Sequence, residues 1–318
     1  MFVTPDTDRR PSFARHETFH PRYGWLKKGY DMACEDPGVF LRENATTILG
    51  VGKNMVRALR YWSLAYKTLH EVPREDSTRV YDVSPTDFGK SLLDDSGWDP
   101  YLEDPGSLWL LHWQLLGDPW RAPAWWAIFN STRTPEFSDA ALLAELGRFR
   151  DEQEGWEGVA ESSLEKDVRC LLRMYGSASQ GRDLLEDSVD SPFSELELLR
   201  PTPGTKRQWT LNLGPKAHLP DAIVAYSCMS YALATDGGAK VIGVAGLARN
   251  QGAPGRAFAL TESVLGDALA RYAEDSELIR LTHAAGSRQL VLPDHLENAM
   301  STVLTRYYAR PGRNARKT

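Results

Sequence analysis

Residues 16–69 read HETFHPRYGWLKKGYDMACEDPGVFLRENATTILGVGKNMVRALRYWSLAYKTL, and their pattern decides how the whole chain is read. Trp25, Leu26, Tyr30 and Ala33 recur at helical spacing, which predicts a helix over 24–36 that Pro37 stops. A longer helix is predicted over 53–69. Its apolar stripe is Met55, Leu59, Trp62, Tyr66 and Leu69, at spacings of 4, 3, 4 and 3. Lys53, Arg57, Arg60 and Lys67 fall on the opposite side. With Lys27 and Lys28 nearby, this is what the second helix of a helix-turn-helix offers to DNA phosphates.

Gly50-Val51-Gly52-Lys53-Asn54 invites comparison with a phosphate-binding loop, but the pattern fails twice. Thr47 stands where the first glycine belongs, and Asn54 where the hydroxyl belongs. No nucleotide is expected. The glycines read as a turn before a helix N-terminus, whose unpaired N–H groups still attract a phosphate.

His16, Glu17, His20 and Arg22 lie just before the first helix. They are the candidates for chemistry. A carboxylate can hold a divalent cation, a histidine can act as base, and an arginine can stabilise a phosphorane-like transition state. The plainer reading is that His16 and Glu17 anchor the chain while Arg22 forms an ion pair. Two histidines and one carboxylate define no metal motif, so the metal ligands stay unassigned.

Composition bounds these readings. The chain has 318 residues, 42% hydrophobic and 25% charged, as in an ordinary globular protein of about two domains. The net charge of −6 is unevenly spread. Residues 1–70 carry 11 Lys+Arg against 7 Asp+Glu, and 306–318 carry five basic residues and no acid. The remainder, 71–305, holds 21 basic and 36 acidic residues, a net of −15. Two basic regions therefore flank an acidic body, which suits a polyanion-binding face. The start (MFVTPDTDRRPSFAR) and the end (RPGRNARKT) read as loose termini. Cys34, Cys170 and Cys228 are far apart, so neither a disulfide framework nor a zinc site is expected. No apolar run approaches the roughly 18–20 residues of a membrane span, and no signal-peptide pattern opens the chain. A cytoplasmic protein without membrane contact is expected.

Further along, 71–78 reads as a loop and RVYDVSP as a strand. TDFGKSLLDD reads as a helix capped by Thr86. SLWLLHWQLLGD is apolar on most sides, with His112 expected as a hydrogen-bonded core histidine. Six of the ten tryptophans lie within 98–126, which places the core of the N-terminal half there. Glu103 and Asp104 precede that helix as solvated or capping carboxylates. A helix follows over 138–152, and another begins with Ser162 and Glu165 as a capping box. A polar loop is expected over 176–194 and two strands over 196–214. Helices follow from Pro220 and over 262–275, with a short helix, wing and strand between them. A hairpin around 285–287 and a final helix complete the chain.

Residues 79–92 and 256–269 match in aromatic, aliphatic, hydroxyl, glycine and leucine positions at an offset of 177. A strand entering a helix through a hydroxyl cap is a common joint in winged helices. The fold expected is mainly α (α+β), with two winged-helix-like domains and short β hairpins. Residues 1–150 would form the N-terminal domain carrying the DNA-binding residues and the candidates for chemistry. Residues 151–318 would form a C-terminal domain for dimerisation and DNA support.

Several runs also carry a resemblance. HETFHPRYGWLKKGYD, ILGVGKNMVRALRYW and YLEDPGSLWLLHW, with PGRAFALTE and LTRYYA more loosely, resemble a bacterial family encoded in DNA phosphorothioation gene clusters. The resemblance is specific over about 16–116. It implies a cytoplasmic component of phage defence and restriction-modification, an endonuclease that nicks DNA so that sulfur can enter the backbone. The implied partners are DNA, a cysteine desulfurase, an ATPase and a PAPS-reductase-like protein. The polar positions within the matched motifs are His16, Glu17, Arg22, Lys27, Lys28, Lys53, Asn54, Arg57, Arg60 and Tyr61. Lys27, Lys28, Lys53, Asn54, Arg57, Arg60 and Tyr61 are taken as DNA-binding, and a nickase implies Mg or Mn. A non-catalytic DNA-binding adaptor and an assembly protein with a Trp-rich docking surface are the rival readings. A homodimer through the C-terminal half is a further expectation.

Overall fold

Gly24, at φ 74°, turns the chain into helix α1 (Trp25–Glu35). α1 buries Trp25, Leu26, Tyr30 and Ala33 against helix α3 (Lys53–Ala65). The two approach closely because residue 29 is glycine: a Cβ there would lie 2.6 Å from both Leu59 Cδ2 and Ser63 Oγ. Between them, α2 (Ala45–Leu49) ends at Gly50 in the left-handed region, φ 63°. In this computed structural model the described residues are 12–74, 77–117, 121–131, 135–176, 191–205, 207–236, 240–284 and 286–309. The expected loose termini at 1–11 and 310–318, and most of the polar loop at 176–194, lie outside them.

The stripe holds in part. On α3 Leu59 and Trp62 are buried and Met55 is half-buried, while Lys53 and Arg57 face solvent; Tyr66 and Leu69 are buried but lie beyond the helix. The helix is shorter than expected, because the chain turns at Lys67, φ 59°, and enters a strand. That strand, β1 (Leu69–Arg74), pairs antiparallel with β2 (Ser77–Pro85), so 71–78 is mostly hairpin and not loop. Thr86 caps α4 (Asp87–Leu93) as expected, its hydroxyl accepting from Gly89 N at 2.9 Å.

Asp104 caps α5 (Pro105–Leu116), and Asp99 accepts from Glu103 N and Asp104 N, so these acids serve the loop's own backbone. Leu108 to Trp113 are all buried on α5. His112 is among them and sits 2.7 Å from the Tyr175 hydroxyl.

From α6 (Pro123–Ser131) the order is β3 (Glu136–Ser138), α7 (Asp139–Asp151), α8 (Glu161–Tyr175), β4 (Leu199–Pro201) and β5 (Gln208–Leu211). The sheet order is β3–β5–β4, with Trp209 of β5 opposite both Phe137 and Pro201. Ala160, with no side-chain cap, starts α8, so the expected Ser162–Glu165 capping box is not formed.

The same order recurs as α9 (Asp221–Asp236), β6 (Val241–Gly243), α10 (Val244–Arg249), a single turn α11 (Pro254–Ala257), α12 (Glu262–Asp275), β7 (Arg280–Ala284) and β8 (Ser287–Val291). This sheet runs β6–β8–β7, with Leu290 of β8 opposite both Ile242 and Leu281. α13 (Leu296–Tyr308) packs on α9.

The protein is thus mainly α with short antiparallel sheets, as the sequence predicts, but its repeat lies elsewhere. At 79–92 a strand runs into α4. At 256–269 the counterpart of that strand is the end of α11 and a turn. The caps Thr86 and Thr261 stand 175 residues apart, so the 177-residue match is out of register with the structure. Nor do the contacts divide the chain at 150/151. One unit spans Thr7–Ile128 and Thr132–Leu211; the other is mainly Phe129–Ser131 and Asn212–Thr318. The pairing of β3 with β5 and the packing of α7 on α8 hold 136–211 together across the expected boundary. No helix among the described residues is long and apolar enough to cross a membrane.

Candidate functional site

The site is built where the turn at 13–18 meets α3 and α8, all within the first unit. Ala14, Glu17 and Thr18 have φ of 55°, 51° and 70°, left-handed values that residues with a Cβ seldom adopt. The turn is held from below. Thr18 N donates to His16 Nδ1 at 3.1 Å, which leaves His16 Nε2 to face Asp167 Oδ1 at 2.6 Å. Ala14 N donates to the same Asp167 oxygen at 2.8 Å. Arg173, two turns along α8, donates to the Thr18 carbonyl, and Trp62 Nε1 donates to the Phe19 carbonyl at 2.9 Å.

His16 and Asp167 are both 0% exposed. The imidazole lies in an aromatic cage, its ring centre 5.9 Å from Tyr61, 6.0 Å from Trp62 and 5.6 Å from Trp125. Burial opposes a charge on His16, while Cys170 and Asp167 favour one. Burial likewise pushes the Asp167 carboxyl up, against the pull of His16. Thr18 N–H can donate to Nδ1 only while the ring is neutral, so this geometry fixes the tautomer in which Nε2–H donates to Asp167 Oδ1.

On the outside of the turn, Glu17 Oε1 lies 3.2 Å from Arg57 Nη1. Arg57 is 55% exposed, one turn along from Lys53 and Asn54, which are exposed at the start of α3. No acidic residue occupies the first turn of α3, and its N-cap Gly52 offers no side-chain acceptor. The N–H groups and positive dipole end there face solvent beside Lys53.

The DUF4007 family, described as a protein of unknown function, matches residues 13–308. Two crystal structures of SspB, one with magnesium ion bound, share this fold. Each is 39% identical, with a TM-score of 0.88 over 96% of this chain and 92% of the other. The chain belongs to the DUF4007 family. It is an SspB-like protein. No curated protein sequence matches it.

The sequence candidates of this DUF4007 member separate by depth. His16 is enclosed, and His20 is 4% exposed, its Nδ1 donating to the Pro21 carbonyl at 3.3 Å. Arg22 stacks over Trp25 at 5.8 Å. Glu17 comes together with Arg57, a cation of the α3 row. Lys28 is exposed and bonds the Leu49 carbonyl at the end of α2.

Lys27 is buried and clamped by Asp31 at 2.6 Å and Asp95 at 2.7 Å. Burial opposes its charge, but these two carboxylates raise its pKa. Arg60 donates to Glu71 and to the Tyr81 carbonyl, and Tyr61 is buried with its hydroxyl on the Arg121 carbonyl. Lys27 and Arg60 are thus neutralised by acids of the chain itself and Tyr61 is buried, which the helical spacing alone could not reveal.

Sequence reasoning missed Asp167 and Arg173. The signal for Asp167 was present: it falls on the apolar stripe of α8, between Leu164 and Leu171.

Proposed function

We propose that this protein acts on DNA in a phosphorothioation system, binding the duplex at the start of α3 and opening one strand so that sulfur can be introduced. The likeness to SspB supports the system. The observation that carries the site is the exposed, acid-free N-terminus of α3, with Lys53, Asn54 and Arg57, and Glu17 held 3.2 Å from Arg57. Lys28, Lys53, Asn54 and Arg57 would bind backbone phosphates. Glu17 is the accessible carboxylate beside them.

A divalent cation, Mg or Mn, is part of this reading, and the magnesium-bound SspB supports it. Among the described residues no group of three or more His, Cys, Asp or Glu side chains is placed to hold a metal ion. A single carboxylate beside a phosphate-binding arginine still fits a magnesium that keeps most of its waters and takes phosphate oxygens as ligands. Glu17 would hold it, and it would supply charge neutralisation at the phosphate. The cysteine desulfurase, the ATPase, the PAPS-reductase-like protein and a second copy of the chain are the proposed partners.

Incubation of purified protein with supercoiled plasmid, with magnesium and with EDTA, tests the proposal. Relaxed circles that form only with the metal, and not with a Lys53→Ala/Arg57→Ala variant, support it. Activity that persists in that variant removes α3 from the site.

A second reading is a non-catalytic DNA-binding adaptor. The burial of both His16 and His20 favours it, since neither can reach a phosphate in this conformation. The two helix–strand–helix–helix–strand–strand modules also favour it, because this is the order of a winged helix, a fold that usually binds without cutting. The second module is poorly charged for DNA. Its α12 carries Glu262, Asp267, Glu274 and Asp275, and Asp221 holds its Arg271 through both carboxylate oxygens. An adaptor would shift DNA in a gel with steep salt dependence and leave the plasmid intact.

A further inference from the structure

We propose that Asp167, acting through His16, is a positioning residue that sets the Glu17 carboxylate against Arg57. The inference rests on the reading of Glu17 as the working carboxylate. Three residues with a Cβ stand in the left-handed region within 14–18, a conformation that side chains disfavour. A turn of this kind persists only where its surroundings over-determine it. Here they do: Asp167 accepts from Ala14 N and bonds His16, His16 accepts from Thr18 N, and Arg173 and Trp62 hold the next two carbonyls.

A role limited to packing would not need a carboxylate at 167. The side chain is fully enclosed, and its second oxygen, Oδ2, finds no hydrogen-bond partner among the described residues. Burying an anion under-satisfied in this way is costly, and an apolar residue would fill the space without that cost. What the carboxylate adds is a fixed acceptor for two donors of the turn, Ala14 N–H and His16 Nε2. The consequence lies outside the turn. The Glu17–Arg57 ion pair is largely exposed and weak by itself, so it cannot hold the carboxylate in place. The inner anchor does so, and Glu17 keeps its position when a phosphate draws Arg57 away.

The test is the double variant His16→Phe/Asp167→Leu, which replaces the buried pair by apolar groups of similar size. Asp167→Asn is the conservative control, because its amide oxygen can still accept both donors. The double variant is expected to bind duplex DNA within about twofold of the parent and to nick about a hundredfold more slowly. Asp167→Asn should nick at close to the parental rate. Parental nicking by the double variant overturns the inference, as does a fall in affinity that matches the fall in rate.

A crystal structure of the double variant decides the point without any activity. Glu17 and Thr18 should leave the left-handed region and Glu17 should lose Arg57; an unchanged turn overturns the inference. If the parent protein leaves plasmid intact, the nickase reading alone fails and the crystallographic result still decides positioning. Arg173→Met removes the other anchor at Thr18 and is read by the same two outcomes should the double variant not fold.

Discussion

Arg60 Nη2 donates to Glu71 Oε1 across 2.9 Å, which makes Arg60 part of the joint between α3 and the β1–β2 hairpin. The other oxygen of Glu71 accepts from Arg121, just before α6. One half-buried carboxylate thus bridges two guanidinium groups from separate elements. Burial alone would raise the Glu71 pKa, but Arg121 and then Arg60 pull it below its ordinary value.

The sign of the pH effect follows. A carboxylate whose pKa is lowered in the folded state stabilises above its unfolded value, and that stability is lost as pH falls through the folded value. Glu71→Gln should therefore cost about 1.5–3 kcal/mol at pH 7, the range for hydrogen bonds to charged groups. The difference between parent and variant should close as pH falls below about 4, the ordinary glutamate range. Urea unfolding from pH 7 to pH 3 measures it, and a pH-independent difference would show that Glu71 is not depressed.

Lys27 and Lys53 should part company despite their similar appearance in the sequence. Lys53→Ala should leave the melting temperature unchanged and weaken duplex binding, lowering the slope of log affinity against log salt by about 1. Lys27→Ala should lower the melting temperature and leave the salt slope alone, because it leaves Asp31 and Asp95 without their shared cation. Fluorescence anisotropy at several salt concentrations, beside a thermal melt of each variant, reads both effects.

Two glycines give opposite expectations. A Cβ at Gly89 would collide with the carbonyl of Thr68, a backbone group that cannot swing aside. Gly89→Ala should cost about 2 kcal/mol or more, as overpacking does. Gly147 lies within α7 with nothing near its missing Cβ, so Gly147→Ala should stabilise by about 0.5–1 kcal/mol. Chemical denaturation of the two variants checks the contrast.

Tyr175→Phe should leave His112 Nδ1 without the hydroxyl 2.7 Å away, in a site that is fully buried. The expected loss is about 1–3 kcal/mol, with DNA binding unchanged. A change in affinity without a change in stability would mean that this pair belongs to a functional site.

What was legible in the sequence was local. The stripe residues Leu59 and Trp62 on α3, the cap Thr86 and the largely apolar α5 each follow from residues within a few positions of one another. Helical periodicity and capping act over that range. The family was legible for the same reason, since its motifs are contiguous runs. The hairpins β4–β5 and β7–β8 were legible too, but the complete modules at 123–211 and 221–308 were not, because the third strand of each sheet, β3 or β6, comes from far away in the chain. Phe137 meets Trp209, and Ile242 meets Leu290, and three- to five-residue strands carry little alternation of their own.

By itself, then, the sequence determined which stretches are helical, which face of α3 is apolar, and that cations gather near its start. Only the tertiary structure decided which of those polar groups meet water. His16 turns inward because its partner, Asp167, waits 151 residues away on the apolar side of α8. Lys27 is paired by Asp31 and by Asp95, 68 residues away, and Glu17 stands at Arg57 on the outside of the turn that Asp167 holds. A side chain's periodicity gives its direction from its own helix. Its burial depends on what packs there, and that is settled by segments distant in the chain.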